Sequence, residues 1–222
     1  MNIAIIVAAG AGHRLGSKRP KQFLELAGKP VIQYSLERFD ECPSIDSIIV
    51  VVPDREIDAF RRMASTFNLG KLGEVVAGGR TRAESVWNGL KAVRNAEYVA
   101  VHDGARPLVT VDEIERTLAA AREFGAACLT AAVSDTIKTV AKDEIKGTVD
   151  RSDLRRALTP QVFRTELLRR AFANVDLDES ITDECYLVER LGHKIQSVPG
   201  SSRNIKITVA DDYVIAEALL KQ

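Results

Sequence analysis

Residues 8–23 read AAGAGHRLGSKRPKQF, with three glycines, five basic side chains and no acid, directly after the apolar run IAIIV. Small residues let backbone N–H groups approach an oxyanion closely, and Arg and Lys add charge-assisted bonds, so this stretch is suited to holding phosphate. Spacing excludes two familiar phosphate motifs. The dinucleotide fingerprint needs a third Gly three residues after Gly12, where Leu15 stands, and the Walker pattern needs Gly five residues after Gly10, again Leu15. What remains is G-x-G-x-R followed by Pro20-Lys21-Gln22, with Arg14 and Lys21 as the cations of interest. His13, Lys18 and Arg19 read as solvated surface charges. A glycine-rich turn with solvated bases is the alternative that this loop alone leaves open.

Such a loop acts only if a rigid element presents it. IAIIV (3–7), SIIVVV (47–52), YVAVH (98–102) and ACLTAAV (127–133) are continuous apolar runs, the pattern of strands buried on both faces. Amphipathic stretches lie between them. Thr110 and Glu113 have capping-box spacing, Ile114, Leu118 and Ala121 follow at helical intervals, and Gly125 ends the helix. The alternation predicts a doubly wound, mostly parallel α/β sheet in one domain spanning 1–222, and in such sheets ligands bind at the carboxyl ends of the strands. Residues 134–154, SDTIKTVAKDEIKGTVDRSDL, break the pattern. Two β-prone pieces around the charged turn AKDE predict a hairpin arm with too few apolar residues for a core of its own, and a solvated excursion is the alternative.

Composition narrows the class further. The chain has 222 residues with 31 Lys plus Arg against 31 Asp plus Glu, so no global charge favours nucleic acid or an anionic membrane, and any anion site must be a local cluster. The three cysteines, Cys42, Cys128 and Cys185, form no CxxC pair and no disulfide framework, and with the histidines they form no nucleophilic constellation. The start MNIAIIVAAG lacks a basic leader and is too short to span a bilayer, so the expected location is the cytoplasm.

Five pieces then occur in one order: AAGAGHRLG…RPKQF, VHDGARP (101–107), ALTPQVF (157–163), ITDE (181–184) and NIKIT (204–208). Together they resemble the 2-C-methyl-D-erythritol 4-phosphate cytidylyltransferase family of the non-mevalonate isoprenoid pathway, and the resemblance covers nearly the whole chain. It implies that CTP and methylerythritol phosphate are joined with release of pyrophosphate, the acceptor phosphate attacking the α-phosphorus in line. Two anions must meet, so cations and Mg²⁺ are expected in place of a nucleophilic side chain.

By resemblance, Ala8, Ala9, Gly10 and Gly12 bring backbone against the nucleotide, while Arg14, Lys21 and Lys206 grip phosphates. Gly79, Arg80 and Ser85, in AGGRTRAESVWNG, are candidate base or ribose contacts; a turn before a helix also explains Gly78-Gly79, and the Arg80 position varies in the family. Trp87 reads as helix-face packing. Asp103 is the metal candidate, or a partner for acceptor hydroxyls, or a strand-end cap; His102 reads as a core histidine and Arg106 as a contact for the acceptor phosphate. Lys206, read as a strand residue, is followed by Ala210 where the family often has Pro, and Asp211 or Asp212 can still start the last helix.

The resemblance also gives the arm a purpose. It implies a homodimer in which Thr136 and Arg151 enter the neighbour's acceptor pocket, near Thr159. Asp183 and Glu184 either orient basic side chains there or start a helix. The chain is expected to lack the second, fused enzyme that some relatives carry. The alternatives are the same chemistry on ribitol 5-phosphate and a non-catalytic nucleotide sensor; a sensor has no need of Lys21 or Lys206.

Overall fold

The computed structural model describes residues 1–10, 21–173, 175–178 and 180–221. Strand β1 (Asn2–Val7) leads through a small hairpin, β2 (Glu25–Leu26) and β3 (Lys29–Pro30), into α1 (Val31–Glu41). Then follow β4 (Ser47–Val52), α2 (Ile57–Ala64), β5 (Leu72–Ala77), α3 (Arg82–Ala92), β6 (Tyr98–Asp103), α4 (Val111–Phe124) and β7 (Ala126–Ala132). The arm comprises β8 (Ile137–Ala141) and β9 (Glu144–Val149). The chain returns through β10 (Arg155–Arg164), α5 (Thr165–Phe172), α6 (Glu184–Glu189), β11 (Gln196–Pro199) and α7 (Ala210–Leu220).

The main sheet has the order β11-β7-β10-β6-β1-β4-β5. All neighbours are parallel except β10, which runs antiparallel to both β6 and β7. The expected doubly wound, mostly parallel sheet is therefore present, with one reversed strand, β10, in its interior. Continuous apolar runs were needed because both faces are covered. Ala4 and Ile6 of β1 join Ile32, Leu36 and Phe39 of α1 and Ile114 and Leu118 of α4 on one side. Ile3 and Ile5 join Val86 and Leu90 of α3 and Leu168 and Phe172 of α5 on the other. Trp87 stacks on Phe172 with ring centroids 5.5 Å apart, the packing role read from the helix face.

Local signals hold where they were strongest. Thr110 and Glu113 form a reciprocal capping box at the start of α4, and Gly125 ends it at φ 83°, a conformation costly for any residue with a Cβ. One expectation needs correction. NIKIT is not a strand; residues 204–208 are an extended segment tied to its neighbours by Ile207 N–H donating to Ala105 O at 2.9 Å and Asn204 Nδ2 to Thr159 O at 3.1 Å. Its β-prone composition serves a different end: Ile207 is buried with Leu26, Val31 and Ala216, which seats α7 on the small hairpin. Asp212 caps α7 by accepting N–H bonds from Thr208 and Val209 at 2.7 and 3.0 Å.

β1 sits between β4 and β6, so the connection direction reverses there and leaves a crevice beyond the carboxyl ends of β1 and β6. Val7 and Asp103 are partners on the last rung of that pair. Everything after Val7, Ala77 and Asp103 thus converges on one edge.

Candidate active site

At that edge, among the described residues, Asp103 gathers three cations. Arg82 Nε lies 3.1 Å from Oδ1, while Lys206 Nζ at 2.9 Å and Arg106 Nε at 3.4 Å share Oδ2. Burial alone pushes this carboxyl up, but Arg82, Lys206 and Arg106 outweigh burial and hold it well below the usual carboxylate range. Asp103 is therefore an anion at any working pH. Its surroundings do not fit a metal ion, because both oxygens face cationic side chains. Among the described residues, no group of three or more His, Cys, Asp or Glu stands ready to hold one.

Each partner is placed by its own element. Arg82 is the first residue of α3, whose N-cap Thr81 accepts Glu84 N–H at 3.0 Å. Its guanidinium fork also reaches Glu184, Nη1 to Oε1 at 2.7 Å and Nη2 to Oε2 at 3.0 Å. Burial opposes the charge on Arg82, but Glu184 and Asp103 more than offset it, so its pKa rises. Arg106 follows the turn after β6 and donates to Asn204 O at 2.8 Å, which joins it to the Lys206 segment. Its pKa is lowered, chiefly by burial.

A buried polar chain supports Asp103 from behind. Thr159 Oγ1 accepts Asp103 N–H at 3.1 Å and lies 2.9 Å from His102 Nδ1. His102 Nε2 faces the Arg106 carbonyl at 3.3 Å, so Nε2 carries the proton and Thr159 donates to Nδ1. Burial drives the His102 pKa down to about 4, consistent with that neutral tautomer. The sequence reading of His102 as a core residue holds.

The loop side of the crevice is equally defined. Gln22 is buried and its side-chain amide donates to Ala8 O and, at 3.1 Å, to Gly10 O. Ser85 Oγ accepts Gly79 N–H at 3.0 Å and donates to Thr81 O at 2.9 Å, so its hydroxyl shapes the Gly78-Gly79 turn. Arg80 is mostly exposed and pairs with Glu84 at 2.7 Å. A Cβ on Gly78 would lie 2.2 Å from the Ala9 Cβ, so the β1 and β5 loops approach closely enough to need glycine there.

Of the residues singled out from sequence, Asp103, Arg106, Thr159 and Lys206 are brought together, and Ala8, Ala9, Gly10, Gly79 and Ser85 border the same crevice. Gly12 and Arg14 lie outside the described residues, as does the side chain of Lys21. Thr136 is exposed on the arm, and Arg151 bonds back to Ser134 O, so neither is bonded to the Asp103 cluster. Asp183 and Glu184 divide the two roles considered for them. Asp183 caps α6 by accepting Tyr186 N–H at 2.9 Å, and Glu184 orients Arg82. Sequence reasoning missed Arg82, Gln22 and Asn204. A signal for Arg82 existed, since a cation in the first turn of a helix opposes the dipole and needs a tertiary anion.

The profile of the 2-C-methyl-D-erythritol 4-phosphate cytidylyltransferase (IspD) family matches residues 2–222. A protein of that name from Syntrophus aciditrophicus is 42% identical over 99% of this chain and 96% of its own, and one from Syntrophotalea carbinolica is 44% identical over 97% and 94%. Among solved structures, 4-diphosphocytidyl-2C-methyl-D-erythritol synthase from Anaerococcus prevotii superposes with a TM-score of 0.86 at 28% identity, covering 100% of this chain and 96% of that one. The cytidylyltransferase from Thermus thermophilus superposes with a TM-score of 0.81 at 30% identity over 100% of both chains.

Proposed function

The chain belongs to the 2-C-methyl-D-erythritol 4-phosphate cytidylyltransferase family, and we infer from that membership that it transfers the cytidylyl group of CTP to 2-C-methyl-D-erythritol 4-phosphate in the non-mevalonate isoprenoid pathway. An oxygen of the acceptor phosphate bonds to the α-phosphorus of CTP as the bond to the bridging oxygen breaks, and pyrophosphate leaves. The observation that carries the reading at the site is the Asp103 cluster: Lys206 and Arg106 share one carboxylate oxygen at the crevice where the β1 loop ends. A substrate phosphate presents the same charge as that oxygen and competes for both cations.

In this reading Ala8, Ala9, Gly10, Gly12, Gly79 and Ser85 shape the nucleotide pocket, and Arg80 contributes its backbone. Arg14, Lys21 and Lys206 offset charge at the α-phosphorus. Preorganised donors of this kind act without reorganisation at the moment of reaction. Asp103 releases Lys206 and Arg106 to the phosphates and is left to accept substrate hydroxyls. A divalent cation such as Mg²⁺, bound with the triphosphate, would supply further charge neutralisation there; in this structure Asp103 is ringed by Arg82, Arg106 and Lys206.

The chain acts as one domain with residues 134–154 as a dimerisation arm. Val140 and Ile145 are register partners on that hairpin and are 60% and 67% exposed, which supports burial against a second copy. Thr136 and Arg151 then complete the neighbour's acceptor pocket beside Thr159. Among the described residues no helix is long and apolar enough to cross a membrane, and the reading places the enzyme in the cytoplasm.

Pyrophosphate release with Mg²⁺, across CTP, ATP, UTP and GTP and with methylerythritol phosphate or ribitol 5-phosphate, tests the assignment. Release with CTP and methylerythritol phosphate alone is expected. Release with ribitol 5-phosphate in its place overturns the acceptor, and CTP binding without any release overturns catalysis in favour of a sensor.

A further inference from the structure

Behind Asp103 stands a carboxylate that meets no water. Glu184 is fully buried and takes both arms of the Arg82 fork, at 2.7 and 3.0 Å, while Arg82 Nε reaches Asp103 Oδ1 at 3.1 Å. Two anions thus divide one guanidinium, and Arg82 is the bridge in the line Glu184–Arg82–Asp103. A buried carboxylate is a costly way to hold a helix in place when an apolar side chain serves as well. Helix α6 does not depend on it for docking. Gln161 of β10 already donates to Asp183 Oδ2 at 2.9 Å and accepts Cys185 N–H at 3.1 Å, and Leu187 and Val188 are buried in the core.

The two oxygens of Asp103 differ in the freedom of their partners. Oδ2 holds Lys206, whose side chain is 36% exposed and free to turn toward a phosphate, together with Arg106. Among the described residues Oδ1 holds only Arg82, whose fork is locked by Glu184 in a bidentate pair. When anionic substrates arrive, every nearby cation is drawn toward them. We propose that Glu184, acting through Arg82, is a positioning residue: it keeps Arg82 on Asp103 Oδ1, so that Oδ2 stays aimed at the substrates after Lys206 and Arg106 have left it. The inference rests on the reading in which Asp103 faces the substrates. Without Glu184 the Arg82 fork is free to follow the triphosphate, and Asp103 loses its fixed partner.

The test is a kinetic cycle on the full chain with CTP, methylerythritol phosphate and Mg²⁺, comparing wild type, Glu184→Gln, Asp103→Asn and the double variant. Glu184→Gln is expected to raise about tenfold the KM of whichever substrate Asp103→Asn weakens, with kcat changed by less than about threefold. The double variant is expected to be no worse than Asp103→Asn alone, because the two residues act in series. Glu184→Asp, which keeps the charge, is expected to recover most of that KM. Should Glu184→Gln fail to fold, Arg82→Lys keeps the charge but cannot fork between two carboxylates, and the same KM rise is expected of it. A fully additive double variant, or an unchanged KM in Glu184→Gln while Asp103→Asn is impaired, overturns the inference alone. An Asp103→Asn variant with wild-type kinetics overturns the reading of Asp103 and the inference with it.

Discussion

Lys206 Nζ lies 2.9 Å from Asp103 Oδ2, which brings the segment before the last helix against the end of the central strand β6. The pairing joins the N-terminal and C-terminal parts of the chain at the crevice, and it holds in place the ammonium that the proposed mechanism directs to phosphate. Among the described residues, Arg82, Arg106 and Lys206 against Asp103 and Glu184 leave a net positive cluster, which is the polarity that two phosphorylated substrates require.

The acid limb of stability is expected to show two separate contributions. His102 has its pKa lowered from 6.5 to about 4 by burial, so the unfolded chain takes up a proton that the folded chain refuses between those values. Stability is therefore lost as pH falls from about 6.5 toward 4, by up to about 3 kcal/mol at 1.36 kcal/mol per unit. The Asp103 contribution, from a lowered pKa, is retained until pH falls below the ordinary carboxylate value. Urea unfolding of wild type and His102→Gln across this range checks the first part: the variant curve should be flatter between pH 4 and 6.5, and equal slopes contradict it.

Two glycines on the same edge should respond differently to alanine. A Cβ at Gly78 meets Ala9 Cβ at 2.2 Å and Ser85 Oγ at 3.0 Å, and overpacking of this kind costs about 1–3 kcal/mol. A Cβ at Gly10 meets nothing within 4 Å among the described residues, so the fold should tolerate it, while the KM for CTP should rise if, as proposed, the nucleotide approaches that backbone. Paired melting curves and CTP titrations separate the cases; a Gly10→Ala variant with unchanged KM removes Gly10 from the nucleotide pocket.

The arm is best examined by mixing subunits. If Arg151 serves its neighbour, an Arg151→Ala subunit paired with a Lys206→Ala subunit forms one intact site and one doubly damaged site. Co-refolded variants, each nearly inactive alone, should then regain about a quarter of wild-type activity, the share expected from random pairing. No recovery in a sample whose mass shows mixed dimers means that Arg151 acts within its own chain.

The sheet was legible because burial on both faces leaves an unmistakable trace. Ile3 and Ile5 point to one core and Ala4 and Ile6 to the other, so β1 could be read directly, and the Thr110–Glu113 cap fixed the start of α4. Asp103, Arg106, Thr159 and Lys206 were legible only through motifs held in common with a family. Spacing along the chain says nothing about which of them meet. Arg82 was obscured because it looks like an ordinary helix-terminal charge until the fold sets it between Asp103 and Glu184, and the orienting role of Glu184 stayed one of two alternatives for the same reason. NIKIT misled because alternating isoleucines suit a strand, whereas here Ile207 anchors a segment that bonds to the turn after β6.

In the proposed mechanism the cations gathered at Asp103 stabilise charge where two phosphates meet. The most direct measurement is the single-turnover rate of Lys206→Ala at saturating CTP and methylerythritol phosphate, with Lys206→Arg alongside. Lys206→Ala is expected to fall by about 10²–10³ with its melting temperature largely kept, and Lys206→Arg to recover part of the rate. A Lys206→Ala enzyme that turns over at the wild-type rate contradicts that mechanism.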